Sequence, residues 1–94
     1  MNTANLQLEG LLVATSSILE LLRRKGLLNE QEILDALHAA EANLEDRLAD
    51  SPELRSAHMD AVKFPIRFLL AATNAAPEQL SFSQITALVG EAKR

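Results

Sequence analysis

The sequence predicts an all-α fold, a small four-helix bundle of mainly antiparallel helices, and three observations support this. The 94 residues include three Phe but no Trp or Tyr, so the core must come mainly from Leu, Ala, Ile and Val. Leu and Ala favour helices, whereas the β-branched and aromatic residues that favour strands are few. Apolar residues recur at helical spacing between recognisable capping signals. A chain of this length is expected to form one domain over residues 1–94.

The first helix is predicted over residues 4–25. Its last turn holds the basic run 23–25, which complements the negative end of a helix. Gly26 follows, at the position where a left-handed residue usually ends a helix. The short connection to the next helix predicts a mainly antiparallel arrangement of the bundle.

The second helix is predicted over residues 30–49. Asn29 and Glu32 have the spacing of a capping box, in which each side chain accepts a hydrogen bond from the other residue's backbone. Leu28 and Ile33 flank them at the positions of a hydrophobic staple. These signals agree on where the helix begins.

The third helix is predicted over residues 52–73, with Ser51 as N-cap and Pro52 at the first helical position. Pro65 lies inside it, but the apolar face keeps its phase across the proline, which favours one kinked helix over two. The predicted inner face holds Leu54, Ala57, Ala61, Phe68, Leu69 and Ala72, and the predicted outer face holds Ser56, Asp60, Lys63 and Arg67.

The fourth helix is predicted over residues 82–92. Ser81 and Gln84 form a second capping box, and Leu80 and Ile85 are placed to staple it.

The first helix has two apolar sides. One is a stripe that faces the bundle core, formed by Ala4, Leu8, Leu11, Leu12, Ile18, Leu19 and Leu22. The other is a ridge of mostly small residues, formed by Gly10, Ala14, Ser17 and Leu21. Glycine inside a helix costs about 1 kcal/mol relative to alanine, so a close contact is expected there. We interpret the ridge as a homodimer interface; the alternative is that helices 3 and 4 bury both sides within one chain.

The second helix is acidic. The net charge of the chain is −4, and most of its acids lie between residues 30 and 53. An acidic helix surface is usually only exposed to solvent, but it could also bind a basic protein partner. The candidate docking residues are Asp35, Glu45 and Asp46.

A metal-binding or proton-handling bundle is an alternative function, with His38, Glu41 and His58 as its candidate ligands. Di-metal bundles use a Glu-x-x-His pair from each of two helices. The nearest pattern here is Asp35-x-x-His38, and Arg55 occupies the matching position before His58. We therefore assign no metal ligand and no cofactor.

A helix-turn-helix nucleic-acid binder is a second alternative, because two helices joined by a short turn also describe that motif. The helix after Gly26 would be the recognition helix, and phosphates would repel its acids. We therefore expect no nucleic-acid partner.

Other classes of function receive little support from the sequence. There is no cysteine, and only three glycines are present for a phosphate-binding loop. The serines of the first helix lack a glycine-rich elbow. Uncharged stretches are too short for a membrane span, and no secretory signal is recognisable. The expectation is a cytoplasmic, non-enzymatic interaction module, an adaptor or regulatory subunit, that forms a homodimer through its first helix.

Overall fold

A computed structural model describes residues 3–49, 56–76 and 78–92 of the chain. Within these ranges there are four α-helices and no strand. They are α1 (Thr3–Arg24), α2 (Glu30–Leu48), α3 (Ser56–Ala75) and α4 (Phe82–Ala92). The predicted all-α four-helix bundle is confirmed.

The turn between α1 and α2 is a Schellman motif centred on Gly26. This glycine has a φ of 75°, which is in the left-handed region. Its N–H donates to the carbonyl of Arg23 at 3.0 Å, and the N–H of Leu27 donates to the carbonyl of Leu22 at 3.0 Å. Two otherwise unpaired carbonyls at the end of α1 are thereby satisfied. The prediction that Gly26 ends the first helix is confirmed.

The first turn of α2 contains the predicted capping box. The backbone N–H of Glu32 donates to Asn29 Oδ1 at 2.8 Å, and the N–H of Asn29 donates to Glu32 Oε1 at 2.9 Å. Both helix-start donors are therefore satisfied by side chains of the same turn.

Replacing Asn29 with alanine is expected to lower the free energy of unfolding by about 0.5–2 kcal/mol, because the N–H of Glu32 loses its acceptor. Urea denaturation followed by circular dichroism measures this loss. Asn43→Ala is the matched control, since Asn43 is an exposed residue inside the same helix. A loss as large in the control as in Asn29→Ala would contradict a specific capping role.

The first turn of α4 is capped in the same way. Gln84 N–H donates to Ser81 Oγ at 3.1 Å, and Ser81 N–H donates to Gln84 Oε1 at 2.8 Å. Leu80 packs against the core cluster that contains Ile85. The second predicted capping box is therefore confirmed as well.

The third helix is the centre of the bundle. It runs without interruption through Pro65, as predicted, while its predicted N-cap and first residue, Ser51 and Pro52, lie outside the described residues. The helices α1, α2 and α4 each pack against α3, and no other pair of helices packs as extensively. Three neighbours leave α3 little free surface, and most of its described side chains are at least partly buried.

Because α3 is central, its predicted inner and outer faces are partly wrong. Lys63 and Arg67 are predicted on the outer face, but their side chains are only 14% and 27% exposed and form ion pairs with α2. Ala61 was placed in the core and is exposed. A helix that packs against three others has no single solvent-exposed face, so the position of one apolar stripe does not predict which of its residues are buried.

The core is small and is centred on Phe68, which is 1% exposed. With Leu12 and Ile85 it forms one cluster that joins α1, α3 and α4. The Phe68 ring lies 5.1 Å from the Phe82 ring and 6.1 Å from the Phe64 ring, measured between centroids. These separations are in the range of favourable aromatic pairs.

Candidate functional site

One side of α1 carries large apolar side chains that no other described part of the chain covers. Gly10, Ala14 and Ser17 are exposed on the same side, so three of the four ridge residues are small and accessible. At about 100° per residue, all these positions fall within one half of the helix circumference. We call this surface the α1 face; it comprises Leu6 (56% exposed), Gly10, Leu11 (64%), Val13 (47%), Ala14, Ser17, Ile18 (59%) and Leu21 (42%).

Part of the predicted core stripe of α1 is wrong, because several of its residues lie on the α1 face or are otherwise exposed. Leu11 and Ile18 were placed in the core and are among the most exposed apolar residues of the chain, and Ala4 is exposed as well. Leu12 is buried, while Leu8, Leu19 and Leu22 are partly buried. The reason is that α1 packs mainly on one helix, α3, which covers only a narrow strip of its surface. The ridge is therefore not buried by helices 3 and 4.

Apart from Arg24 at its end, the charged side chains of α1 lie away from this face. Arg23 donates two hydrogen bonds to Glu20, at 2.9 Å from Nε and 2.6 Å from a terminal nitrogen. This hydrogen bond lowers the pKa of Glu20 and raises the pKa of Arg23. Glu9 is likewise partly buried and off the face. The α1 face itself carries no charge until Arg24 and Lys25, at its end.

Gly10 lies near the middle of the α1 face. A Cβ atom added at Gly10 would meet nothing within 4 Å. No contact within the described part of the chain therefore requires a glycine here, although glycine disfavours a helix by about 1 kcal/mol relative to alanine. A close contact with something outside the chain would account for it.

Several acidic side chains of α2 form ion pairs or hydrogen bonds with other residues of the same chain. Lys63 Nζ donates to Glu45, and Arg67 lies 3.8 Å from Glu41. Asp35 accepts a hydrogen bond from Gln31 Nε2 at 2.7 Å. Among the three candidate docking residues, Glu45 therefore holds α2 to α3 and Asp35 is bonded within its own helix. Asp46 is exposed. Docking of a basic partner through these residues stays a prediction.

The structure does not bring the candidate metal ligands together. His38 Nδ1 lies 3.8 Å from Glu41 Oε1, but the His38 side chain is 62% exposed. His58 is exposed on α3, not in that helix's apolar surface as expected. Among the described residues no three His, Asp or Glu side chains are grouped closely enough to hold a metal ion.

No family model, curated protein or solved structure matches this chain. Across the described ranges, none of the helices combines the length and hydropathy of a bilayer-spanning segment. Function is therefore inferred from the surfaces and cavities of the chain itself.

A second feature is a cleft that sequence reasoning missed. It has a volume of about 340 Å³ and lies between the C-terminal half of α1, the end of α3 and the start of α4. Its lining residues come from four helices and a linker, so no local sequence pattern predicts the cleft. The apolar residues that line it include Ile33, Phe68, Ala72, Leu80, Phe82 and Ile85.

Ser16 lines this cleft, and its buried hydroxyl group is unusual among the helix hydroxyls. Thr15, Ser17 and Thr73 each donate to the carbonyl four residues earlier, at 2.8–2.9 Å. Ser16 Oγ is buried and has no hydrogen-bond partner in the described part of the chain. An unsatisfied buried hydroxyl costs about 1–3 kcal/mol. The only other such oxygen among the described residues, Thr86 Oγ1, does not line the cleft.

Proposed function

We propose that this chain is a non-enzymatic interaction module, an adaptor or regulatory subunit, that forms a homodimer through the α1 face. The observation that carries the proposal is the exposure of five large apolar side chains on one uncharged side of a 22-residue helix. Removing apolar surface from water is favourable by about 25 cal/mol per Å², and this gain opposes the entropy cost of association. Contiguous apolar patches of this kind mark interaction sites on soluble proteins.

A second copy of the chain is the partner that fits the uncharged character of this surface. Two identical faces meet without charge repulsion, because Glu20 and Arg23 pair with each other, Glu9 lies off the face and Arg24 lies at its end. Gly10, Ala14 and Ser17 allow two backbones to approach closely in the middle of the contact. The small core centred on Phe68 is also typical of bundles that are completed by oligomerisation.

Sedimentation equilibrium over a wide range of protein concentrations tests this proposal. We expect a discrete species of about twice 10.3 kDa that dissociates only on strong dilution. The mass is expected to be insensitive to added NaCl, because an apolar contact is not screened by salt. A mass of 10.3 kDa at every concentration would contradict self-association, and a dimer that salt dissociates would point to a charged surface instead.

A further inference from the structure

The dimensions of the cleft suit a small molecule. Its volume of about 340 Å³ is at the lower end of the range, roughly 300–1,000 Å³, found for small-molecule pockets. Its walls are formed by α1, the end of α3 and the start of α4, and Ile33 of α2 and residues 78–80 also line it. A space of this volume accommodates a molecule of two or three rings.

The lining of the cleft favours a ligand without charge. Its inner surface is formed largely by apolar side chains, including the buried rings and branches of Phe68 and Ile85. Glu20 and Arg23 line it too, but each neutralises the other through two hydrogen bonds. The remaining charged lining residues, Arg24 and Glu78, are exposed and of opposite sign. A charged ligand would lose its hydration without gaining a matching partner.

Among the described residues that line the cleft, Ser16 has the one buried hydroxyl without a hydrogen-bond partner. It is unpaired within the described chain, whereas the hydroxyls of its neighbours Thr15 and Ser17 are bonded to their own helix. A serine hydroxyl both donates and accepts, so it can pair with an N–H, a carbonyl or another hydroxyl. We propose that the cleft binds a small, neutral, mainly apolar molecule that carries one hydrogen-bonding group, and that Ser16 Oγ pairs with that group.

Titration with N-phenyl-1-naphthylamine tests this site, because the probe is neutral, has one N–H, and fluoresces more strongly in apolar surroundings. We expect saturable binding of one probe per chain. Ser16→Ala, which removes the hydroxyl and keeps the space, is expected to weaken binding threefold to tenfold. Ser16→Leu, which also fills the space, is expected to weaken it more than tenfold. Absence of saturable binding to the folded wild-type chain would overturn the proposal.

Two control variants locate the probe. Thr15→Ala removes a hydroxyl that is bonded to its own helix and does not line the cleft, so affinity is expected to stay within twofold. Ala14→Arg places a charge on the α1 face. Val13 and Ser17 belong to both that face and the cleft lining, but Ala14 does not line the cleft, so binding is expected to persist. Loss of binding in Ala14→Arg, with none in Ser16→Leu, would assign the probe to the α1 face and overturn the cleft site. Unchanged affinity in Ser16→Ala would overturn the role of the hydroxyl.

Discussion

Replacing Ala14 with arginine is expected to separate the proposed dimer into monomers of 10.3 kDa that keep their helices. Ala14 is exposed near the centre of the α1 face, with apolar neighbours on both sides. An arginine there would have to bury an unpaired charge between two apolar surfaces, at a cost of several kcal/mol. The dissociation constant is therefore expected to rise by roughly two orders of magnitude or more. Arginine is also a good helix former, so α1 itself is not destabilised.

Light scattering gives the mass of this variant, and far-UV circular dichroism gives its helix content. Ala39→Arg is the matched control, because Ala39 is an exposed alanine on α2, outside the α1 face. This control is expected to dimerise as the wild type does. If Ala14→Arg dimerises with an unchanged dissociation constant, α1 is not the interface, even though the chain self-associates.

Replacing Phe68 with alanine is expected to lower the free energy of unfolding by about 3–5 kcal/mol, the range found for buried Phe to Ala substitutions. Phe68 is 1% exposed, and its ring contacts the rings of Phe64 and Phe82. The substitution removes the contact that joins α3 to α4 and leaves a cavity at the centre of the core cluster. A chain of this size is stabilised by about 5–14 kcal/mol in total. The variant is therefore expected to lose a large part of its stability.

Urea denaturation at a protein concentration below the dissociation constant of the dimer measures this loss without a contribution from association. Leu27→Ala provides the control, since Leu27 is 66% exposed in the α1–α2 turn. A surface change of this kind is expected to alter stability by no more than about 0.5 kcal/mol. A loss below about 1 kcal/mol in Phe68→Ala would show that the core is not organised around this ring.

The helix ends could be predicted from the sequence because their signals are local. The capping boxes at Asn29 and Ser81 and the glycine at position 26 depend on residues only a few positions away. The division of α1 into covered and exposed apolar residues could not be predicted in the same way. Leu11 and Leu12 are adjacent residues of the same type, and both belong to the predicted core stripe. Only the position of α3 decides which of them is buried.

The ion pairs between α2 and α3 had a signal that sequence reasoning did not use. Glu41 and Glu45 are four residues apart on α2, and Lys63 and Arg67 are four residues apart on α3. Matching acidic and basic pairs at this spacing can face each other across two packed helices. From the sequence, the acidic run of α2 is predicted on an outer surface, whereas two of its residues, Glu41 and Glu45, form ion pairs that hold α2 to α3.

The central place of α3 has a consequence for the order in which the chain acquires its structure during synthesis. Both α1 and α2 leave the ribosome before α3, yet they pack mainly on α3 rather than on each other. Until Ala75 has emerged, the apolar residues of the first two helices lack their native partner. The nascent chain therefore exposes both sides of α1 for a longer time than a bundle in which each helix packs on its predecessor.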